Sequence, residues 1–169
     1  MRIGVITVTF NSGRVLKPFF SSMAAQTHGD FLLYAIDNAS SDSTIEQLNG
    51  WGDRRLRVIS NAVNVGIAEA DNQGISAALA DGCDYVLFLN NDVEFEQETF
   101  ATLVTELEML GCDMVAPKIF FEDRIHIWSA GGTMALASLI MLSNIARLAP
   151  FSSHSFMPRL LTPALPEPS

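Results

Sequence analysis

Five short runs of apolar, β-favouring residues alternate with four segments of helical spacing, and this alternation limits the fold more than any other feature. Ile3 to Phe10 is nearly all apolar, as a strand buried on both faces is. Further strands are expected at Phe31–Ile36, Leu56–Ile59, Tyr85–Leu89 and from Met114 to Ala116, the last continuing towards Phe120. Between them, Val15 to Gln26 reads as a helix with Pro18 in its first turn. Ser43 and Glu46 have capping-box spacing and open a short helix to about Leu48. Ile67 to Ala80 forms a helix with Ile67, Ala70, Gly74, Ile75, Ala78 and Leu79 on one side. Phe100, Leu103, Val104 and Leu107 repeat at helical spacing before Gly111. The order βαβαβαβαβ predicts an α/β fold with a mostly parallel central sheet and helices on both faces. Ligands of such sheets bind outside the carboxyl ends of the strands.

The chain has 169 residues, 49% hydrophobic and 17% charged, enough for one domain with a real core. Its formal charge of −9 disfavours nucleic acid as a partner. A small anionic ligand is still admitted, because local amides or a metal reverse the field inside a cleft. Cys83 and Cys112 lie outside any Cys-x-x-Cys pair and read as small buried hydrophobes, consistent with a reducing, cytosolic setting. No signal peptide is evident. The apolar stretch 134–149 is interrupted by Ser138, Ser143, Asn144 and Arg147, and is short of the roughly 20 apolar residues of a membrane span. A buried or interfacial helix is expected over 135–150. Residues 151–169 carry Pro158, Pro163, Pro166 and Pro168 and read as an extended or disordered tail.

The expected strand ends share one chemistry. They carry Thr9-Phe10-Asn11-Ser12, Asp37-Asn38-Ala39-Ser40-Ser41-Asp42, Asn61-Ala62-Val63-Asn64-Val65-Gly66 and Asn90-Asn91-Asp92. An Asp at the end of the second strand accepts hydrogen bonds from a base imide or a ribose. The helix opening after Gly66 presents free amides that favour phosphate. Asp92, beside two amides, is a hard oxygen ligand suited to Mg²⁺ or Mn²⁺ carrying a diphosphate. Each loop alone also reads as an ordinary turn. Their joint placement on one edge points to a nucleoside diphosphate.

Val8-Thr9-Phe10-Asn11-Ser12, Asp37 to Ser43, Asn64-Val65-Gly66-Ile67-Ala68 with Asn72-Gln73-Gly74, and Leu89-Asn90-Asn91-Asp92 resemble, in order and spacing, the successive motifs of family 2 glycosyltransferases of the GT-A, Rossmann-like type. The rhamnosyltransferase-like branch is the most similar. Ile127-Trp128-Ser129-Ala130-Gly131-Gly132 looks like a further family segment, and the similarity covers about residues 3–134. The resemblance implies that Thr9 and Phe10 line a nucleobase pocket and that Asp37 and Asn38 contact the base. It implies that Asn64, Gly66 and Asn72 shape the loop and helix near the ribose and diphosphate. Asn90 and Asn91 would sit at the donor, and Asp92 would hold the divalent metal as the last acid of the family's Asp-x-Asp motif. Asn90 stands where many members have Asp, which removes one carboxylate. The donor implied is dTDP-rhamnose or a UDP-sugar. The acceptor implied is a glycan or lipid-linked glycan for surface polysaccharide, reached in the cytoplasm at the inner face of the membrane.

An inverting transferase also needs a general base for the acceptor hydroxyl. In the family this carboxylate lies in an acidic cluster well after the Gly-Gly segment. Here the only carboxylate after Asp123 is Glu167, so no catalytic residue is assigned and the chain is expected to stop short of a complete apparatus. A frameshifted or truncated gene, one piece of a split enzyme, and a module that binds nucleotide-sugar without transferring it are the competing explanations. The stretch 134–149 is read either as contact with a membrane or as apolar sequence left by truncation. His28, His126 and His154 are scattered and read as structural or solvated, as does Lys118. A receiver-type signalling domain is excluded because the first strand ends without an acidic pair, and a nicotinamide-binding domain because no Gly-x-Gly-x-x-Gly follows it.

Overall fold

The structure, a computed structural model, describes residues 1–121 and 123–129, with the backbone of 144–147. Its elements are β1 (Ile3–Thr9), α1 (Leu16–Ala24), β2 (Phe31–Asp37), α2 (Thr44–Gly50), β3 (Leu56–Ser60), α3 (Ile67–Ala80), β4 (Tyr85–Phe88), α4 (Thr99–Leu110), β5 (Met114–Val115), β6 (Ile119–Phe120), β7 (Ile127–Ser129) and β8 (Asn144–Arg147). The main sheet has six strands in the order β3-β2-β1-β4-β8-β5. Strands β1 to β4 are parallel, and β8 runs antiparallel between β4 and β5. The expected α/β architecture is therefore present, with one antiparallel insertion.

Alternation along β1 divides the core. Ile3 and Val5 enter one cluster with Leu16, Phe19 and Met23 of α1, Leu48 of α2 and Phe100, Leu103 and Leu107 of α4. Ile6 enters the other, with Tyr34, Ile36, Ala70, Ala78, Val86 and Phe88. Three helices thus cover one face of the sheet and α3 covers the other. On the first face Phe31 and Phe100 meet edge to face at 5.3 Å, and Phe20 stacks on Trp51 at 4.6 Å. Buried Gln26 joins α1 to the start of α4: its amide donates to the Ser22 and Glu96 carbonyls, and its Oε1 accepts from the Phe100 N–H.

The α3 face uses small residues. Ala70, Gly74 and Ala78, four residues apart, form the buried stripe. A Cβ on Gly74 would lie 2.6 Å from Ile6 Cγ2, and one on Gly4 would lie 2.7 Å from Ala78 Cβ. Ile67 and Leu79, expected on this side, are 63% and 51% exposed. A helix seated this close along a narrow line leaves the flanks of its apolar side in solvent.

Other expectations are corrected. The capping box of Ser43 and Glu46 does not form. Thr44 instead donates both its N–H and its hydroxyl to Asp42 Oδ1, and the Ser43 hydroxyl accepts from Gln47. The fifth strand does not continue to Phe120, because Pro117 has no N–H for a ladder. Ile119–Phe120 pairs instead with Ile127–Ser129 in a separate two-stranded sheet. Within the expected helix 135–150, residues 144–147 form β8, whose backbone pairs with both β4 and β5. The rest of that range, and the expected tail 151–169, lie outside the described residues. No helix among the described residues is long and apolar enough to cross a membrane.

Gly4→Ala is expected to cost about 1–3 kcal/mol, because Ala78 Cβ has no rotamer by which to withdraw. Gly29→Ala, with nothing within 4 Å of the new Cβ, should change stability by less than about 0.5 kcal/mol. Urea midpoints of the two variants check the pair.

Candidate functional site

The chain places β2 and then β3 on one side of β1 and β4 on the other, so the direction of winding reverses between β1 and β4. Such a reversal opens a crevice at the carboxyl ends of the strands. Thr9 ends β1, Asp37 ends β2 in register with it, and Asn90-Asn91-Asp92 follows β4.

Asp37 organises the β2 side. Its side chain is 2% exposed. Oδ1 accepts from the Thr9 hydroxyl at 2.9 Å and the Ser40 hydroxyl at 2.5 Å, while Oδ2 accepts from the Ser40 N–H at 2.9 Å. A carboxylate has about four acceptor positions, so one remains, on Oδ2. The Ser40 hydroxyl also accepts the Asn11 N–H, and Asn11 Oδ1 accepts the Ser41 N–H. Asn11 and Ala39 both have positive φ, 53° and 63°, in this paired turn. Asp42 accepts from Thr44 and from the Gly13 N–H, and the Thr44 hydroxyl bond foremost holds its carboxyl below the usual range. Phe10, 54% exposed, stands at the edge of this turn.

Asn38 carries the network to α3. It is 2% exposed, donates its N–H to the Thr9 carbonyl and its amide to the Gly66 carbonyl, and accepts from Asn61. Asn61 and Gln73 exchange two further amide bonds at 3.0 and 3.2 Å. Asn64 Oδ1 accepts the Gly66 N–H at 2.9 Å, turning the chain into the helix. Gly66 has φ 83° and ψ 166°, a conformation that glycine alone adopts without strain. Asn72 lies in the second turn of α3. It is exposed, and its place two residues from both Ala70 and Gly74 turns it about 200° from the buried stripe.

On the β4 side, the Asn91 amide donates to the Val8 carbonyl at 2.7 Å, clamping the loop across the crevice and leaving Oδ1 to accept elsewhere. Asp92 is exposed. Asn90 walls a cavity of about 40 Å³ together with Ile6, Val8, Ile67, Asp71, Phe88 and Leu89. Asp71, on the cavity wall, was not singled out in the sequence, and Asn61 and Gln73, present in the quoted motifs, were given no role. The signal for Asp71 was spacing: it lies four residues after Ile67 and directly after buried Ala70, on the flank of α3 that borders the strand ends. Among the described residues it has no hydrogen-bonding or ionic partner, and burial pushes its carboxyl up to about 6.

Among the described residues no three His, Cys, Asp or Glu side chains converge, so an all-protein cage for a divalent cation is excluded there. Asp92 with neighbouring amide oxygens fits the other mode, in which one or two carboxylates share the ion with water and substrate phosphates.

Asp71→Asn is expected to stabilise the ligand-free protein. The folded carboxyl titrates near 6, above its unfolded value of 3.8, so the favourable neutral form is lost as pH rises through that interval. The gain should be absent below about pH 4 and complete above about pH 7. With solvent screening of a half-buried group it should reach about 1 kcal/mol, read as a pH-dependent rise in unfolding midpoint.

Comparison with known proteins bears on this geometry. Residues 4–129 match the model of glycosyl transferase family 2. The chain is 31% identical over 153 residues to the PGL/p-HBAD biosynthesis glycosyltransferase of Mycobacterium bovis, covering 87% of this chain and 57% of that protein. It is 25% identical over 124 residues to glycosyltransferase GlyG of Streptococcus pneumoniae, covering 72% and 40%. The chain thus spans about half the length of these curated relatives. Among solved structures, S. aureus TarS residues 1–349 superpose with a TM-score of 0.69 at 21% identity, covering 87% of this chain and 47% of that one. The mannosyltransferase PcManGT of Pyrobaculum calidifontis, in complex with GDP-Man and Mn²⁺, gives 0.62 at 19% identity, covering 71% and 35%. The mostly parallel sheet, its helices on both faces and its polar switch point are those of the GT-A fold, and the chain belongs to glycosyl transferase family 2.

Proposed function

We propose that this chain forms the donor-binding part of a glycosyltransferase that takes a sugar from a nucleoside diphosphate and passes it, with inversion, to a hydroxyl of a glycan or lipid-linked glycan. The observation that carries the reading is the rim at the β1/β4 reversal. There the hydrogen-bonded Asp37 turn, the amino end of α3 and the loop that carries Asp92 lie at the carboxyl ends of neighbouring strands. TarS has been solved with UDP-GlcNAc, at a TM-score of 0.69, and PcManGT with GDP-Man, which supports a nucleotide-sugar donor for this chain. The sugar proposed is rhamnose from dTDP-rhamnose, or the sugar of a UDP donor. The setting proposed is cytoplasmic, at the inner face of the membrane, for surface polysaccharide.

In this reading the base lies between Phe10 and the Asp37 turn. Thr9 and Ser40 hold the Asp37 carboxylate so that the open Oδ2 position accepts a base N–H. The diphosphate lies towards the free amides of α3, where the helix dipole favours negative charge. Asp92 with the Asn91 oxygen would hold Mg²⁺ or Mn²⁺, which when bound neutralises charge developing on the departing diphosphate. In the transfer, an acceptor oxygen bonds to the anomeric carbon as the carbon–oxygen bond to diphosphate breaks on the opposite face. The hydroxyl proton passes to a base. Asp37 and Asp42 are committed to structural hydrogen bonds, and no described residue is assigned that base.

Calorimetric titration with UDP and dTDP, with and without Mn²⁺, tests the reading, followed by a sugar-nucleotide hydrolysis assay. Binding in the micromolar to millimolar range is expected. Asp37→Asn should weaken it about tenfold in both conditions, and Asp92→Ala should remove the enhancement by Mn²⁺. Failure of the folded wild type to bind either nucleotide would overturn the proposal. Binding without any turnover would favour a donor-binding module over a transferase.

A further inference from the structure

Helices α1 and α2 lie on the same face of the sheet and leave a groove between them, an open cavity of about 770 Å³. Each helix begins beyond the carboxyl end of the strand before it, so the groove starts at the rim edge and runs back along the two helices. Lys17, Ser21 and Ala24, at spacings of four and three, form its wall on α1. Ser43, Glu46 and Gln47 form the wall on α2. The aromatic pair Phe20 and Trp51 lines it between the two.

Two internal contacts set the distance between the walls. Phe20 of α1 stacks on Trp51, just after α2, with ring planes 11° from parallel. At the rim end the Gln47 amide donates to the Gly13 carbonyl and to the Ser43 hydroxyl, both at 2.8 Å. Gly13 is seated so closely that a Cβ there would lie 2.5 Å from Ser43 Oγ. The groove is therefore formed before a ligand arrives, which lowers the cost of ordering it on binding. Its charged groups are unpaired. Among the described residues the Lys17 ammonium and the Glu46 carboxylate have no hydrogen-bond or ionic partner, each other included, and neither has Gln47 Oε1.

The lining selects among ligand classes. An acyl chain or the apolar face of a helix would cover the polar groups of both walls without pairing them. A polyanion would meet the Glu46 carboxylate. A neutral sugar chain fits both parts of the lining. The C–H faces of its rings suit the aromatic pair. Its hydroxyls donate to Glu46 and Gln47 Oε1 and accept from Lys17. The volume falls within the range of about 300–1,000 Å³ usual for small-ligand sites. The wall from Lys17 to Ala24 is about 10 Å long, more than one sugar ring. We propose that the groove between α1 and α2 binds a neutral oligosaccharide, at a site separate from the crevice of the β1/β4 reversal. The inference rests on the glycan-acceptor reading above: the groove holds a part of the glycan remote from the reacting hydroxyl. Gln47 joins this site to the rim, because the Gly13 it contacts donates its N–H to Asp42.

Trp51 reports on the groove. The chain has two tryptophans, and Trp128→Phe leaves Trp51 alone. Its fluorescence is titrated in the full chain with neutral trisaccharides of glucose, N-acetylglucosamine and rhamnose. At least one is expected to shift the emission with a dissociation constant of about 1 mM, and its monosaccharide to bind more weakly. Lys17→Ala combined with Glu46→Gln, both at exposed positions, should weaken the binding about tenfold. Ala24→Phe fills the groove without removing a contact and should weaken it as well. Saturating UDP should leave the titration unchanged. No shift with any trisaccharide would overturn the inference, as would unchanged affinity in the Lys17 and Glu46 double variant. Displacement by UDP would also overturn it, by assigning the sugar to the crevice. A shift with dodecylphosphocholine and with no trisaccharide would overturn it in favour of an acyl chain. Trisaccharide binding that depends on Lys17 and Glu46 in a protein that binds no UDP would instead sustain the groove and sink the donor-site reading.

Discussion

The close seating of α3 on the sheet is the contact on which the rest of the molecule depends. Gly4 opposite Ala78 and Gly74 opposite Ile6 let the helix backbone approach nearer than ordinary side chains permit. That approach fixes the height of α3 above β1, and with it the path of the chain from β3 through Asn64 and Gly66. The Asn38–Gly66 bond forms only if the helix begins where it does. The network at the end of β2 and the amides at the start of α3 therefore share one reference point. Packing of small residues on one face of the sheet sets the geometry of polar groups at its edge.

The rim is built unevenly, as the proposed donor would require. A base is planar, nearly neutral and read by hydrogen bonds, and the Asp37 turn that would receive it is held by internal bonds with one acceptor position left on Oδ2. A diphosphate is highly charged, and the start of α3, towards which the proposal puts it, has amides that no strand or helix bond uses. The net charge of −9 is compatible with such a ligand because the amides of α3 and a cation act at close range, where a distant excess of carboxylates is screened.

Much of this was legible in the sequence. Strands β1, β2 and β4 showed as short apolar runs because they are buried on both faces, while the half-exposed edge strand β3 showed only as a shorter β-favouring run, and α3 showed its ends at Ile67 and Ala80. The strand-end polar residues were legible as a group because the alternation of strand and helix puts all carboxyl ends on one edge. What failed has local causes. Pro117 was read through, although a missing N–H ends a ladder. The Ser43–Glu46 spacing matched a capping box, but the turn closes through Asp42 and Thr44, and the Ser43 hydroxyl accepts from the Gln47 side chain. Asn72 was named from its motif, and the helical phase set by Ala70 and Gly74 puts it on the exposed side of α3. The apolar segment containing 144–147 has no period that separates strand from helix, and its pairing with β4 and β5 is a long-range event with no local signature. The burial of Asp37 was equally hidden, since it depends on Thr9 and Ser40 closing over the carboxylate.

The antiparallel strand β8 has a consequence for how such a chain assembles. Its partners, Tyr85–Phe88 and Met114–Val115, precede it in the order of synthesis, and those two strands do not touch one another in the finished sheet. Until Asn144–Arg147 emerges, the outer edge of β4 has an open row of amides and carbonyls and β5 has no neighbour. The β1–β4 unit with α3 is made of earlier, more local contacts and is free to form beforehand. The last pairing closes a loop of dozens of residues and is expected to be the slowest step on topological grounds. During that interval the nascent protein exposes an open strand edge beside the strand-end rim, the place where a second strand from another molecule would pair.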